Sequence, residues 1–83
     1  MKVIVNVRLK QGVLDPQGKA VLHALAALGF SGVRDVRVAK QIVLELDGKD
    51  RDKIYADVAR MCDEILANTV IEDYEIVIAM ETE

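Results

Sequence analysis

The sequence of 83 residues contains few side chains of the types that perform catalysis or bind metals. It has a single cysteine, Cys62, and a single histidine, His23. A cysteine nucleophile needs a nearby base, and nothing in the spacing brings His23 to Cys62. One thiol and one imidazole are also too few for a typical zinc site. We therefore expect Cys62 to be a buried structural thiol and His23 to be solvated or to lie at an interface.

A pair of carboxylates and a pair of glycines are the remaining candidates for chemistry. Glu72 and Asp73 come just before a predicted strand, where adjacent side chains point to opposite faces and share a proton poorly. Gly12 and Gly18 flank a predicted helix start, but no dinucleotide-binding or Walker motif is present. The carboxylate of Asp15 at that helix start would repel a phosphate. The residues taken singly thus predict an interaction domain with no catalytic, cofactor or metal site.

Two helices are predicted from caps and apolar spacing. Asp15 and Pro16 form a helix start, and the helix runs to about Leu28, with Gly29 in the left-handed position that follows a helix. One face of this helix is apolar, with Val21, Ala24, Leu25 and Leu28. The second helix begins at Asp50 or Asp52 and ends near Asn68, which is predicted to take a left-handed cap conformation. Its apolar stripe has the spacing of a buried helix face: Ile54, Val58, Met61 and Ile65.

Alternating apolar residues predict four strands. The first strand buries Val3, Val5, Val7 and Leu9, and the last buries Tyr74, Ile76, Ile78 and Met80. Between the helices, five apolar residues lie at even-numbered positions and would point to the same face of a strand: Val36, Val38, Ile42, Leu44 and Leu46. This parity favours two strands joined through residues 39–41, and a single bent strand is the alternative. The resulting β-α-β-β-α-β order predicts an α+β two-layer domain over residues 1–83, with two helices on one face of a four-stranded, mostly antiparallel sheet, a ferredoxin-like variant.

Composition and charge narrow the classes of partner. The net charge of −3 is the sum of two unequal halves. Residues 1–40 have seven basic and two acidic residues, a charge of +5, and residues 41–83 have four basic and twelve acidic residues, a charge of −8. Neither the charge nor the three aromatic residues suit a nucleic-acid binder. No apolar run is long enough for a membrane helix, and one cysteine cannot form an internal disulfide. We expect a cytoplasmic protein that contacts other proteins.

Three stretches of sequence carry a resemblance to a known family. They are V-L-D-P-Q-G at residues 13–18, V-R-D-V-R-V-A-K at residues 33–40, and C-D-E-I-L-A-N-T-V-I-E-D-Y at residues 62–74. In combination they resemble the PurS family, the small subunit of phosphoribosylformylglycinamidine synthase, along the whole chain. Ala39 stands where that family usually has glycine and Thr69 where it usually has proline, so the departures concern loop geometry.

The resemblance implies a role in de novo purine synthesis. The complex converts formylglycinamide ribonucleotide, glutamine and ATP to the formylglycinamidine ribonucleotide, glutamate, ADP and phosphate. In this family a glutaminase subunit hydrolyses glutamine and a large synthetase subunit binds ATP and magnesium. The small subunit has no active site and no cofactor of its own. It bridges the other two, supports the transfer of ammonia, and self-associates as a homodimer or a tetramer.

The predicted subunit interface consists of the polar residues inside the matching blocks, together with the proline and glycine that restrict or free the backbone there. They are Asp15, Pro16, Gln17, Gly18, Arg37, Lys40, Asn68, Glu72, Asp73 and Tyr74. Helix capping alone is the alternative explanation for Asp15, Pro16 and Asn68. The alternative function for the whole chain is a regulatory module of ferredoxin-like fold that senses a small molecule. Such a module would show melting shifts that depend on its ligand.

Overall fold

The computed structural model describes residues 1–79 and confirms the α+β class. In chain order, the elements are β1 (Lys2–Leu9), α1 (Pro16–Ala27), β2 (Lys40–Glu45), α2 (Arg51–Met61) and β3 (Glu72–Ala79), and a π-helical turn, Cys62–Leu66, continues α2. Met80, which the sequence pattern placed in the last strand, lies outside the described residues.

The sheet has the strand order β2-β1-β3, and both pairs of neighbouring strands are antiparallel. Val3 lies between Leu44 and Ile78, and two residues later Val5 lies between Ile42 and Ile76. The odd-numbered valines of β1 are fully buried, as their alternation predicted. β1 is therefore the centre of the sheet, because it is paired along both edges and covered on its inner face.

The prediction of four strands was wrong, since the described residues form three. Residues 33–39 belong to no strand, and β2 begins at Lys40, where the turn of a hairpin was expected. A strand needs a neighbour for its backbone groups, and the N–H of Val38 donates instead to the carboxylate of Asp15. The predicted parity still holds within β2 and just beyond it, because Ile42, Leu44 and Leu46 pack against the core.

α2 supplies the helical side of the core and ends in the wider π-helical turn. Ile54 and Val58 are buried as predicted, but Ile65 at the end of the same stripe is 80% exposed. The N–H of Ala67 donates to the carbonyl of Cys62, five residues earlier, at 3.0 Å. This wider turn rotates the following side chains away from the α-helical register. Cys62, four residues after Val58, is buried on the same helix face, as expected for a structural thiol, whereas Ile65 within the wider turn points outward.

α1 has the predicted ends but lies apart from the core. Asp15 caps its start, and its C-terminus has the Schellman pattern, in which Gly29 has φ +96° and the N–H of Phe30 donates to the carbonyl of Leu25. The expected apolar face is not packed against the rest of residues 1–79, because Val21 is 42% and Leu28 is 74% exposed there.

The connection from β1 to β2 makes the molecule elongated. Because these strands are antiparallel neighbours, residues 10–39 leave and rejoin the sheet at the same end. The protein measures 49 × 33 × 14 Å, and its radius of gyration is 16.4 Å. A compact chain of this length has a radius of gyration of about 12 Å. The α1 connection therefore extends the molecule and leaves apolar surface unburied.

Candidate functional site

The three sequence blocks meet at one end of the sheet. Leu9 at the end of β1 lies opposite Glu72 at the start of β3, and Val7 lies opposite Lys40 at the start of β2. The loop before α1 and the turn before β3 reach the same end, since the N–H of Lys10 donates to the carbonyl of Ile71 at 2.8 Å. Antiparallel order thus brings together residues that are far apart in the sequence.

The carboxylate of Asp15 joins two of these blocks. Its Oδ1 accepts from the N–H of Gly18 at 2.8 Å, and its Oδ2 accepts from the N–H of Val38 at 2.8 Å. Asp15 is only 5% exposed, although it is charged. The two N–H donors lower the pKa of Asp15 below its ordinary value of 3.8, and the Arg37 guanidinium lowers it further. Asp15 is therefore both the cap of α1 and a clamp on the segment before β2.

Arg37 fastens the same segment to the loop after β1. Its guanidinium donates to the carbonyl oxygens of Lys10 and Val13, each at 3.2 Å. The Lys10 carbonyl also accepts from the backbone N–H of Val13 at 3.1 Å, so Arg37 adds to a turn that the loop already forms. Arg37 therefore positions the loop that leads into Asp15, and its planar group can reach two carbonyls at once.

Gly18 allows the segment before β2 to lie directly against the start of α1. A Cβ atom added at Gly18 would overlap the carbonyl oxygen of Val36 and would lie 2.9 Å from Oδ2 of Asp15. No larger residue fits there without moving the backbone of Val36. The L-D-P-Q-G block is thus explained by packing as well as by capping, because its glycine provides the space and its aspartate the hydrogen bonds.

A shallow cleft of about 230 Å³ opens beside this clamp. Its charged lining residues have both signs: Arg8 and Lys40 are basic, and Asp15 and Glu72 are acidic. The full lining is Val7, Arg8, Leu9, Asp15, Pro16, Gln17, Val38, Ala39, Lys40 and Glu72. Five of the predicted interface residues line it: Asp15, Pro16, Gln17, Lys40 and Glu72.

Glu72, which lines the cleft, also closes the turn before β3. The carboxylate of Glu72 accepts from the backbone N–H of Asn68 at 2.7 Å, while Oδ1 of Asn68 accepts from the N–H of Val70 at 3.2 Å. The left-handed cap conformation predicted for Asn68 was wrong, since no described non-glycine residue has positive φ. Asn68 instead closes a local turn through its side chain. Asp73 lies just beyond the cleft and pairs with Lys10, Nζ to Oδ1, at 3.7 Å.

Tyr74 lies on the inner face of β3, opposite Val7, and contacts the π-helical turn rather than the cleft. Its hydroxyl donates to Oδ1 of Asp63 at 3.1 Å. That hydrogen bond raises the pKa of Tyr74 above its ordinary value of 10.0, with partial burial adding to the effect. Asp63 and Arg8 are two contact residues that the sequence pattern did not indicate. Asp63 lies inside the third sequence block and Arg8 lies on β1, but neither occupies a cap position, so only the folded contacts identify them.

The residues with potential for chemistry lie elsewhere. Cys62 is fully buried, and burial raises the pKa of its thiol above 9.0, with nearby Asp63 adding to the increase. His23 is exposed on α1. Within residues 1–79, no cluster of three or more histidine, cysteine, aspartate or glutamate residues is arranged to hold a metal ion. Neither helix in this range has the length and apolar character that crossing a membrane requires.

Comparisons with known proteins give the same family along the whole chain. Residues 2–80 match the PurS family, described as phosphoribosylformylglycinamidine (FGAM) synthase. The phosphoribosylformylglycinamidine synthase subunit PurS of Bacillus subtilis is 52% identical over 73 residues, which cover 88% of this chain and 86% of the relative. The subunit of the same name from Methanocaldococcus jannaschii is 43% identical over 75 residues, 90% of each chain.

Solved structures share the fold. The structure of Bacillus subtilis PurS has a TM-score of 0.83 at 50% identity and covers 92% of this chain and 94% of its own. A chain of the structure of PurLQS from Thermotoga maritima has a TM-score of 0.83 at 32% identity and covers 92% of this chain and 93% of its own. The sequence match, the identities and the common fold show that this chain belongs to the PurS family of phosphoribosylformylglycinamidine synthase.

Proposed function

We propose that this chain is the small, non-catalytic subunit of phosphoribosylformylglycinamidine synthase in purine biosynthesis. Its membership of the PurS family supports the subunit role, and the Thermotoga maritima relative of the same fold belongs to a structure of PurLQS. In this role the chain bridges the glutaminase and synthetase subunits and supports the transfer of ammonia between them. ATP and magnesium bind to the synthetase subunit, and the complex works in the cytoplasm.

The cleft at the end of the sheet is the centre of the proposed docking surface. The observation that favours it is the convergence of all three sequence blocks at that end, where Lys40 and Glu72 line the cleft with Asp15. Basic and acidic groups side by side suit a polar protein surface of complementary charge. Arg37, Asn68 and Asp73 lie around the cleft and extend this surface. Two predicted interface residues do not belong to it, because Gly18 is buried under the segment before β2 and the hydroxyl of Tyr74 contacts the π-helical turn.

Self-association is part of the proposal. The apolar side chains of the α1 connection supply the supporting observation, because Val21, Leu28 and Phe30 are all more than 40% exposed. An apolar surface of this kind on a small domain is typical of a protein–protein interface. A homodimer would cover it, and two dimers could pair into a tetramer.

Reconstitution tests the role directly. The measurement is glutamine-dependent synthase activity of the large subunit and the glutaminase, with and without this protein. We expect activity only when this protein is added, and no turnover by the protein alone. Equal activity without it would overturn the subunit role. A rise in melting temperature of the isolated protein with a small metabolite would then favour the ligand-sensing module.

A further inference from the structure

The helix formed by α2 and the π-helical turn ends with a concentration of negative charge. Its last turn contains two acidic residues, Asp63 and Glu64, and no basic one. The C-terminus of a helix is the negative end of the helix dipole, where basic side chains are stabilising and acidic ones are not. The carbonyl oxygens of residues 63–66 accept from no backbone N–H within residues 1–79. The acidic side chains therefore add to a negative end that the chain itself does not neutralise.

Contacts within residues 1–79 account for only part of this charge. Oδ1 of Asp63 accepts from the hydroxyl of Tyr74, which is a neutral group. Oε1 of Glu64 lies 3.3 Å from the guanidinium of Arg60, but both side chains are at least 67% exposed. Exposed ion pairs contribute little to stability, and a basic residue four positions before an acidic one is the weaker orientation on a helix. The stability of the single chain thus gives no reason for an acidic last turn, and such departures from local preference are typical of functional surfaces.

Two exposed apolar side chains accompany the acidic turn. Ile65 is 80% and Val70 is 82% exposed, which makes them the most exposed large apolar side chains of residues 1–79. Ile65 belongs to the last turn of the helix, and the N–H of Val70 donates to Oδ1 of Asn68 in the turn that follows. One exposed aliphatic residue is ordinary, whereas apolar side chains rimmed by charged residues are typical of an interaction surface.

Ile65 and the two carboxylates line a shallow hollow of about 440 Å³. Lys40 and Glu72 line both this hollow and the cleft described above, so the two depressions are neighbours. The charged residues that line the hollow and not the cleft are Asp63 and Glu64, and both are acidic. The hollow therefore complements a basic group, while the cleft has charges of both signs.

We propose that this hollow receives a basic side chain from another subunit of the synthase, while Ile65 and Val70 pack against apolar surface beside it. The inference rests on the function proposed above and gives the docking surface a second contact of different chemistry. The carboxylate of Glu64 and the carbonyl oxygens of the last turn are all hydrogen-bond acceptors. An arginine suits them best, because its planar guanidinium can donate to a carboxylate and to carbonyl oxygens at the same time.

Charge reversal at Glu64 tests for the basic partner. In a Glu64→Lys variant a like charge would meet the incoming side chain. We expect the concentration of this protein that gives half-maximal synthase activity to rise by roughly ten-fold or more. The variant should nevertheless melt close to the wild-type temperature, because a basic residue at the helix end offsets the lost pair with Arg60.

Asp57→Lys is the matched control for this variant. Asp57 is exposed on α2, four residues after a lysine, just as Glu64 is four residues after an arginine. It lies outside the hollow, so the control should support activity at the wild-type concentration. Salt provides a second readout, because ion pairing across an interface weakens as ionic strength rises. Glu64→Gln should therefore show a smaller salt dependence of assembly than the wild type.

Val70→Thr tests the apolar part of the contact with almost no change in shape. The added hydroxyl is harmless in water but costs free energy when an interface buries it. We expect the half-maximal concentration to rise by roughly three-fold or more with no change in melting temperature. Val43→Thr makes the same substitution on the outer face of the sheet, where Val43 is 51% exposed, and should leave assembly unchanged.

The outcomes separate this inference from the function on which it rests. If Glu64→Lys assembles as well as Asp57→Lys, no basic side chain enters the hollow, although reconstitution by the wild type would still support the subunit role. If Glu64→Lys fails to fold, normal assembly by both Glu64→Gln and Val70→Thr would overturn the inference. If the wild type itself restores no activity, the proposed function fails. Calorimetric binding of the wild type and Glu64→Lys to each purified large subunit then decides the inference, and equal affinities would overturn it.

Discussion

Asp15 holds two elements with the two oxygens of one carboxylate. Oδ1 caps α1 through Gly18, and Oδ2 holds Val38 immediately before β2. A cap alone needs only one of these oxygens, and Asp50 at the start of α2 is an example, because its Oδ1 accepts from both Asp52 and Lys53. The difference between the two aspartates makes the clamp testable.

We expect Asp15→Asn to lower the melting temperature at neutral pH and Asp15→Ala to lower it more. The amide can still cap α1 with its oxygen, but its NH₂ group would face the N–H of Val38, donor to donor. The matched Asp50→Asn variant keeps its single capping oxygen and should melt close to the wild type. Equal losses for Asn at the two positions would show that the contact with Val38 contributes nothing.

The same clamp predicts a pH dependence. Because the pKa of Asp15 is lower in the folded protein than its ordinary value of 3.8, the contribution of the carboxylate to stability is present above that value. It is lost as the pH falls through the lower, folded pKa. The difference in melting temperature between wild type and Asp15→Asn should therefore be constant above about pH 5 and shrink toward pH 3. A difference that stays constant through this range would contradict the lowered pKa.

Only part of this residue-level picture could be predicted from the sequence. The capping role of Asp15 follows from its type and from Pro16 behind it, since a helix start is a local feature. Its contact with Val38 joins positions 23 residues apart, and no local pattern reports such a contact. The left-handed conformation predicted for Asn68 failed for a related reason. The side chain of Asn68 accepts a hydrogen bond from the N–H of Val70, and helix-capping preferences do not predict this contact.

At the scale of elements, local structure was predictable and pairing was not. Both helices begin at their expected aspartates, and the alternation of β1 and β3 correctly identified two strands. The strand expected at Val36 and Val38 is unpaired in this chain, because alternation records which residues can form a strand and not whether a neighbour exists. The outward Ile65 was missed because a π-helical turn leaves no clear signal in the spacing.

The contact between α1 and the segment before β2 depends on the absence of a side chain at Gly18. Replacing a helical glycine by alanine ordinarily stabilises a helix by about 1 kcal/mol. At Gly18 the added methyl group would overlap the carbonyl of Val36, so we expect the reverse. Gly18→Ala should lower the free energy of unfolding by about 1–3 kcal/mol. Urea unfolding at matched protein concentration measures the change.

Gly32→Ala is the control for this variant. An added methyl group at Gly32 meets no atom within 4 Å, so the substitution should leave stability unchanged or raise it by about 0.4–1 kcal/mol. A Gly18→Ala protein as stable as the control would show that the Val36 carbonyl does not press on α1.

Across the whole molecule, the charge split of the sequence does not become two separate faces. β1 carries basic residues into the centre of the sheet, and the acidic strand β3 lies beside it. Arg8 is opposite Asp73, Lys2 is opposite Glu45, and Lys10 forms an ion pair with Asp73. The cleft also contains charges of both signs, and this is the reason for testing them.

Lys40→Glu should weaken assembly of the synthase without disturbing the fold. Lys40 lines the cleft and is exposed, and its side chain forms no ion pair within the described chain. Reversing its charge changes the potential of the docking surface and leaves the core untouched. We expect the concentration of this protein that gives half-maximal synthase activity to rise by roughly ten-fold.

Lys49→Glu provides the matched control, since it makes the same change in the loop after β2, at the other end of the sheet. It should support activity at the wild-type concentration. If Lys40→Glu also does so, the cleft is not the docking surface, although the subunit role would stand. Circular dichroism and melting of both variants exclude a general loss of structure.

The position of β1 also determines when the protein can fold during its synthesis. β1 is made first, yet it is the central strand, and its neighbours come from the middle and the end of the chain. Contacts between such distant residues slow folding. Until β3 has left the ribosome, one edge of β1 has no partner strand. A chain stalled before Glu72 should therefore aggregate or be degraded, and a shortened subunit could not take the place of the complete one.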